Sequence, residues 1–334
     1  MTVLNVAFVG SQEFAKSIAK LNDTRDIESY VFKMVQDDEV KVLSLLRPLR
    51  HPEKLRPLLS ILNVARSGVV EISKVDASLG EILVAFGCSG IENGHIIIRP
   101  ADGEWVDPEQ VKMIQQQAGL SSWTLHENPL DEHQMRTLLF AELDKLADHS
   151  EQRLVIPVDQ YFNVKGVGLV AIGYVQSGTV NKHDQLLALP TAESGVTRSL
   201  QVMDDDVDTA RAGDRVGVAM RDLREAALER GSILVHPDDD GSYNESMNKH
   251  MRSRIELIKA PFQQKEIAVG DVIHAAVDLQ FVVGRVESIN GNELEVSWDQ
   301  PLFLRPVSPP RVLINQLDAK MRLLGFSTNL TPLE

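Results

Sequence analysis

Apolar positions in the first half of the chain follow two alternating rhythms. Val3–Val9, Gly68–Ile72 and His95–Ile98 are short runs with almost no polar break, as in strands covered on both faces, and Val40–Leu46 is a further apolar run. Between and after them, Glu53–Ala65 carries Leu55, Leu58, Leu59 and Leu62 at helical spacing. Leu79–Phe86, Pro108–Ala118 (with proline in its first turn) and Asp131–Leu146 read as further helices, and Ala15–Leu21 begins another. Strands alternating with helices predict a parallel sheet with right-handed crossovers. Near Asp148–Arg153 the text changes. Leu154–Val158, Gly168–Val175, Gln185–Leu189, Ser199–Met203, Arg215–Met220 and Ile233–Val235 are strand runs punctuated by Gly178, Gly195, Gly213 and Gly231. That pattern predicts a small antiparallel barrel. After a polar linker, Pro237–Ser242, short strand runs resume, with a hairpin signal at Asn290-Gly291, and predict a second barrel. The expected layout is an α/β domain over 1–148, one β-barrel over 153–238 and another over 246–334.

Composition narrows the setting. The chain has 334 residues, 34 basic against 48 acidic side chains and a net charge of −14, which argues against general coating of nucleic acid. Residues 245–334, with 10 basic and 11 acidic side chains, are nearly balanced, so a local basic face is allowed there. The single cysteine, Cys88, sits in an apolar run, excludes an internal disulfide and suits a reducing, cytoplasmic compartment. No apolar run reaches membrane-spanning length and no secretory leader is legible, so no membrane partner is expected.

The candidate chemistry begins directly after the first strand. Gly10-Ser11-Gln12-Glu13-Phe14-Ala15-Lys16-Ser17 is a phosphate-binding loop with Ala15 where the second glycine belongs. In such a loop, backbone N–H groups and a helix N-terminus cradle phosphates, the lysine neutralises charge and the hydroxyl holds Mg²⁺. A methyl group at position 15 crowds the turn that must approach the phosphates. Elsewhere there is no Cys/His metal spacing and no nucleophile elbow, and the Asp204–Asp206 run with Asp208 reads as an exposed acidic loop, so no metal site is expected.

A phosphate loop, an α/β domain and then two barrels is the layout of the elongation factor Tu family. The local text agrees best in the second domain. Val164-Lys165-Gly166-Val167-Gly168-Leu169-Val170-Ala171-Ile172-Gly173, then Gly178-Thr179-Val180, Ala212-Gly213-Asp214-Arg215-Val216-Gly217 and Glu229-Arg230-Gly231 resemble that family's second-domain signature in order and spacing. Val158-Asp159-Gln160-Tyr161-Phe162 before it, and a short third domain, resemble archaeal relatives of the selenocysteine-specific factor. The resemblance implies a P-loop NTPase-like fold and a guanine-nucleotide site, with GTP or GDP and Mg²⁺ as cofactors. It assigns nucleotide contacts to Gly10, Lys16, Ser17 and Asp102, and the histidine that orients the attacking water to His51. It also implies departures. Arg47 stands where an aspartate supports Mg²⁺, Arg50 where a glycine senses the γ-phosphate, and Arg99 where an asparagine reads the base. Thr24 is the only threonine between Ser17 and Val40. The resemblance further implies an aminoacyl pocket in the second barrel, and tRNA-backbone contacts at Arg311, Lys320 and Arg322 on the last strands. Ser17, His51 and Asp102 also have ordinary readings, as first-turn helix, loop and turn residues.

Three functions therefore remain open at the level of sequence. The first is a pseudo-GTPase that binds tRNA, the ribosome or a protein partner in translation. The second is a divergent GTPase using Lys16, Ser17 and His51. The third is a regulatory subunit that binds nucleotide without metal, clamped by Arg47 or Arg50.

Overall fold

The computed structural model describes every residue except Asp37, Asp102, Gly103, Ser308 and Glu334. Two compact units emerge from the chain. One comprises residues 1–146, 257–267 and 311–327, the other residues 147–256, 268–310 and 328–334.

In the first unit the strands are β1 (Thr2–Val9), β2 (Lys20–Thr24), β3 (Ile27–Gln36), β4 (Glu39–Pro48), β5 (Ser67–Ile72), β6 (Gly94–Ile98) and β7 (Thr124–His126). The helices are α1 (Gln12–Ile18), α2 (Arg56–Val64), α3 (Ala77–Ser89), α4 (Pro108–Gln117) and α5 (Glu132–Leu143). The strands form one sheet in the order β2-β3-β4-β1-β5-β6-β7. β1 runs parallel to β4 and β5, and β6 parallel to β5 and β7, while β2 and β3 add an antiparallel edge beside β4. α1 and α5 cover one face, where Leu4, Val6, Phe8, Phe14, Tyr30, Leu43, Leu139 and Phe140 make a continuous core. α2 starts on Pro57 in its first turn and lies on β1 and β4, with Leu58, Leu59 and Ile61 buried. A capping box starts α5, with Asp131 accepting from the Gln134 N–H and the Gln134 side chain accepting from the Asp131 N–H. The same unit holds an antiparallel ribbon of Ile258–Lys259, Leu323–Ser327 and Val312–Asn315.

The apolar pattern predicts most of this order. Three stretches differ, one of them β7, which forms where no strand is expected. The helix expected over Ala15–Leu21 starts at Gln12 and ends at Ile18. Residues 20–36, expected to hold that helix's end and a short loop, form β2 and β3. Tyr30, Phe32 and Met34 alternate in sequence and share one face against the core, a period-two signal confined to three residues.

In the second unit, β8 (Ile156–Val164), β9 (Gly168–Tyr174), β11 (Gln185–Leu189), β12 (Glu193–Val202), β15 (Arg215–Arg221) and β16 (Ile233–Val235) follow the order β11-β16-β8-β9-β15-β12. β12 pairs back onto β11, so these six strands close into a barrel. β13 (Asp205–Val207) extends β12, and β10 (Thr179–Asn181) pairs with β14 (Thr209–Arg211). Closure removes free sheet edges. A second antiparallel set is built from Asn248–Glu256, Val272–Val277, Gln280–Asn290, Glu293–Leu304 and Leu330–Pro332.

Candidate functional site

In open α/β sheets ligands bind at the carboxyl ends of the parallel strands. Here that edge is where β1 hands over to α1. Only Gly10 and Ser11 separate strand from helix. Ser11 is the N-cap, its Oγ accepting from the Phe14 N–H at 3.2 Å. Residues 12–17, which a phosphate loop would spread around its ligand, are already helical.

The anion at this edge comes from the chain itself. The backbone N–H of Ser11 donates to Glu71 Oε2 at 2.5 Å. Glu71 stands near the carboxyl end of β5 with a side chain 5% exposed, and its Oε1 lies 3.1 Å from Arg99 Nε, just beyond β6. The Arg99 guanidinium stacks 4.2 Å from the Phe14 ring centre, and Phe14 packs on Phe8 at 5.9 Å. A second carboxylate closes the other side. Arg47, at the end of β4, donates through Nε to the Gly10 carbonyl at 2.8 Å and through Nη1 to Glu28 Oε2 at 2.9 Å. Glu28 also accepts from Gln12 Nε2 at 2.8 Å and from the Tyr30 hydroxyl at 2.6 Å. Burial pushes the Glu28 carboxyl up, but the hydrogen bonds from Tyr30, Gln12 and Arg47 outweigh it and hold Glu28 below the usual carboxylate range. Burial, reinforced by the Glu28 charge, pushes the Tyr30 phenol up to about 12. Two arginines thus meet two internal carboxylates at the carboxyl edge of the sheet.

The residues expected to bind nucleotide divide accordingly. Gly10 is at this edge, and a Cβ built on it would lie 2.8 Å from Glu71 Cβ and 2.9 Å from Glu71 Oε2, so its missing side chain makes room for Glu71. Lys16 Nζ donates to Gln12 Oε1 at 3.0 Å and Ser17 Oγ to the Phe14 carbonyl at 2.8 Å, both on their own helix. Ala15 is fully buried in the core. Asp102 lies outside the described residues. Arg50 is exposed in the turn after β4.

His51 and Arg322, expected at two different sites, meet on one carboxylate. His51 Nε2 lies 3.1 Å from Glu81 Oε2, and Arg322 binds Glu81 through Nε at 3.0 Å and through Nη2. Arg322 Nη1 also donates to the Pro52 carbonyl at 2.7 Å. Burial opposes the charge on Glu81, but hydrogen bonds from His51 and Arg322 bring its pKa down to about 2. Arg311 stacks on Phe326 at 4.4 Å and donates to the Gly87 carbonyl at 3.1 Å. Lys320 is exposed on the rim of a cleft of about 740 Å³ that also includes Phe262 and Val84. Burial raises the Cys88 thiol to about 12, which leaves it without thiolate reactivity at neutral pH. Among the described residues no group of three or more His, Cys, Asp and Glu side chains is placed to hold a metal. No helix among them is long and apolar enough to cross a membrane.

The sequence reading passed over Glu71 and Glu28. Glu71 had a signal, being the one charge inside the apolar run Gly68–Ile72. Glu28 had none, since its partners Arg47, Gln12 and Tyr30 converge only through the β3–β4 pairing and the entry to α1.

In the second unit, Tyr161, Pro190, Thr191 and the Glu225–Glu229 segment line an open pocket of about 700 Å³ on the barrel. Asn163 Nδ2 donates to Glu225 Oε2 and holds one of its two carboxylates.

The α/β sheet followed by antiparallel barrels is the architecture of translation elongation factors, and residues 168–235 match the model of elongation factor Tu domain 2. The chain belongs to the elongation factor Tu family. Among its relatives, an uncharacterized protein of Methanocaldococcus jannaschii is 31% identical over 326 residues, 97% of this chain and 99% of that one. The selenocysteine-specific elongation factor of the same organism is 32% identical over 157 residues, 46% of this chain but only 31% of the factor. The crystal structure of elongation factor SelB from Methanococcus maripaludis in complex with the GTP analogue GPPNHP superimposes with a TM-score of 0.77 at 20% identity, over 99% of this chain and 80% of that one.

Proposed function

We propose that this protein is a translation-factor-like binding protein whose guanine-nucleotide site is closed by its own side chains. One observation carries the reading. The Ser11 N–H, the donor that should meet a phosphate oxygen, is bonded to the Glu71 carboxylate, and the chain is helical from the next residue on. A phosphate entering here would meet two carboxylates with their countercharges already paired, and Mg²⁺ would face Arg47 where its supporting carboxylate belongs. The residues present therefore do not fit GTP with Mg²⁺, and no hydrolytic role is assigned to His51, which serves Glu81.

On this reading the three segments 1–148, 153–238 and 246–334 act as a scaffold and two barrels, working in the cytoplasm. The partner is tRNA or another component of the translation machinery. The barrel pocket at Tyr161 and Glu225–Glu229 is the proposed seat of an aminoacyl end, its carboxylates suited to an α-ammonium group. The test is a titration with fluorescent GTP and GDP, with and without Mg²⁺. No saturable binding below about 100 µM is expected, since each lost polar contact to a desolvated ligand costs about 1–3 kcal/mol and at least three are lost. Sub-micromolar, Mg²⁺-dependent binding would restore the divergent GTPase. Chelator-insensitive binding would favour the metal-free regulatory subunit.

A further inference from the structure

The motif lysine has left the nucleotide edge but has not lost its company. Lys16 lines a groove of about 500 Å³ between α1, β2, β3 and α5, together with Lys20, Lys33 and Arg136, and no carboxylate is among its described lining residues. In a chain with a net charge of −14, four cations around one groove are a local reversal of sign. The floor is apolar, with Leu21 38% exposed and Phe32 beneath the cations.

Arg136 is held in position. Its Nε donates to the Ile18 carbonyl at 2.7 Å and its Nη2 to the Ser17 carbonyl at 2.7 Å, both at the carboxyl end of α1. Its guanidinium stacks 4.1 Å from the Phe32 ring centre. Nη1 makes no hydrogen bond among the described residues, and Arg136 lines the groove. Lys16, Lys20 and Lys33 are exposed around it. A fixed guanidinium beside three lysine ammonium groups, over an apolar floor, suits a ligand that repeats anionic groups at short intervals and carries flat or aliphatic surface between them.

We propose that this groove binds the phosphate backbone of an RNA strand, with Arg136 as the fixed contact and Lys16, Lys20 and Lys33 as the surrounding cations. The proposal rests on the reading above that the partner contains RNA, and it places that contact on the α/β unit. Sugar and base surface would lie on Leu21 and Phe32, and phosphate binding would make affinity strongly salt-dependent.

The experiment measures anisotropy of a fluorescein-labelled single-stranded RNA 12-mer, and of a transcribed tRNA, between 50 and 200 mM salt. It uses the full chain and the variant carrying Lys16→Gln, Lys20→Gln and Lys33→Gln. Each lost phosphate contact should lower the slope of log K against log salt by about 0.7, so the triple variant should lose about 2 in slope and at least tenfold in affinity at 50 mM salt. Lys20→Glu alone, on the exposed edge strand, should weaken binding several-fold with an unchanged circular dichroism spectrum. Lys74→Gln, an exposed lysine elsewhere in the unit, should bind as the unmodified chain does. RNA binding that the groove variants leave unaltered overturns the groove while sparing the broader reading. No RNA binding by the unmodified chain overturns both. Competition by polyglutamate at equal charge, as effective as by RNA, overturns the proposal in favour of an acidic protein partner.

Discussion

Glu71 is the residue on which the α/β edge turns. It satisfies a backbone donor at the entry to α1, pairs with Arg99 and fills the space that Gly10 leaves open. Glu71→Ala removes all three at once and leaves the half-buried Arg99 guanidinium and the exposed Ser11 N–H to water. A loss of about 1–2 kcal/mol in urea unfolding is expected, the ion pair being partly screened by solvent, and a loss under 0.5 kcal/mol would show that the contacts are incidental. Glu71→Gln keeps an acceptor for Ser11 and should cost less than half as much. Part of this was legible in the chain. Ala15 in the loop motif and arginines at positions 47, 50 and 99 were legible as departures from the family's nucleotide motifs, because each is a single-residue departure at a known spacing. The two carboxylates at this edge were not legible as neighbours, since Glu28 and Glu71 reach it from strands far apart in sequence, and only sheet order brings them together.

At the level of elements, the packing of α3 against the ribbon of 311–327 centres on Glu81, which joins a turn histidine, a helix and the start of a strand. Its folded-state pKa of about 2 lies below the ordinary carboxylate value of 4.5. The folded state therefore binds this proton less readily than the unfolded chain does. The stabilisation is fully present above pH 4.5 and is lost as pH falls from 4.5 towards 2, up to about 3 kcal/mol. Arg322→Ala should flatten that part of the stability-against-pH curve, read by urea midpoints at each pH, and unchanged curvature would exclude Glu81 as its source. Long periodic elements such as α5 and the buried strands β5 and β6 could be read from spacing alone. β2 and β3 could not, because Lys20–Thr24 is a mostly polar edge strand and its apolar partner residues are few. The Asn290-Gly291 signal marked a true hairpin, but pairing of Asn290 with Glu293 makes Gly291 and Asn292 the central residues, with Gly291 at φ 63°.

For the whole molecule, the family's switch works by a γ-phosphate and Mg²⁺ ordering loops that hydrolysis then releases. Here the segment after α1 is sheet, and the segment after β4 is tied down by His51–Glu81. A ligand without differential contacts to two states shifts neither. Small-angle scattering of the full chain alone, with a GTP analogue and Mg²⁺, and with GDP should give superimposable curves. A change in radius of gyration specific to the GTP analogue would mean that a switch survives.

The tethered carboxylate at the head of α1 also bears on timing. A bound nucleotide is consumed and replaced, and that turnover gives a factor its one irreversible step. The Glu71 carboxylate is covalently part of the protein and is never spent. On the proposed reading the protein carries no clock. Its complexes last as long as their dissociation rates dictate, their occupancy follows partner concentration alone, and neither an exchange factor nor the cell's ratio of GTP to GDP has any handle on them.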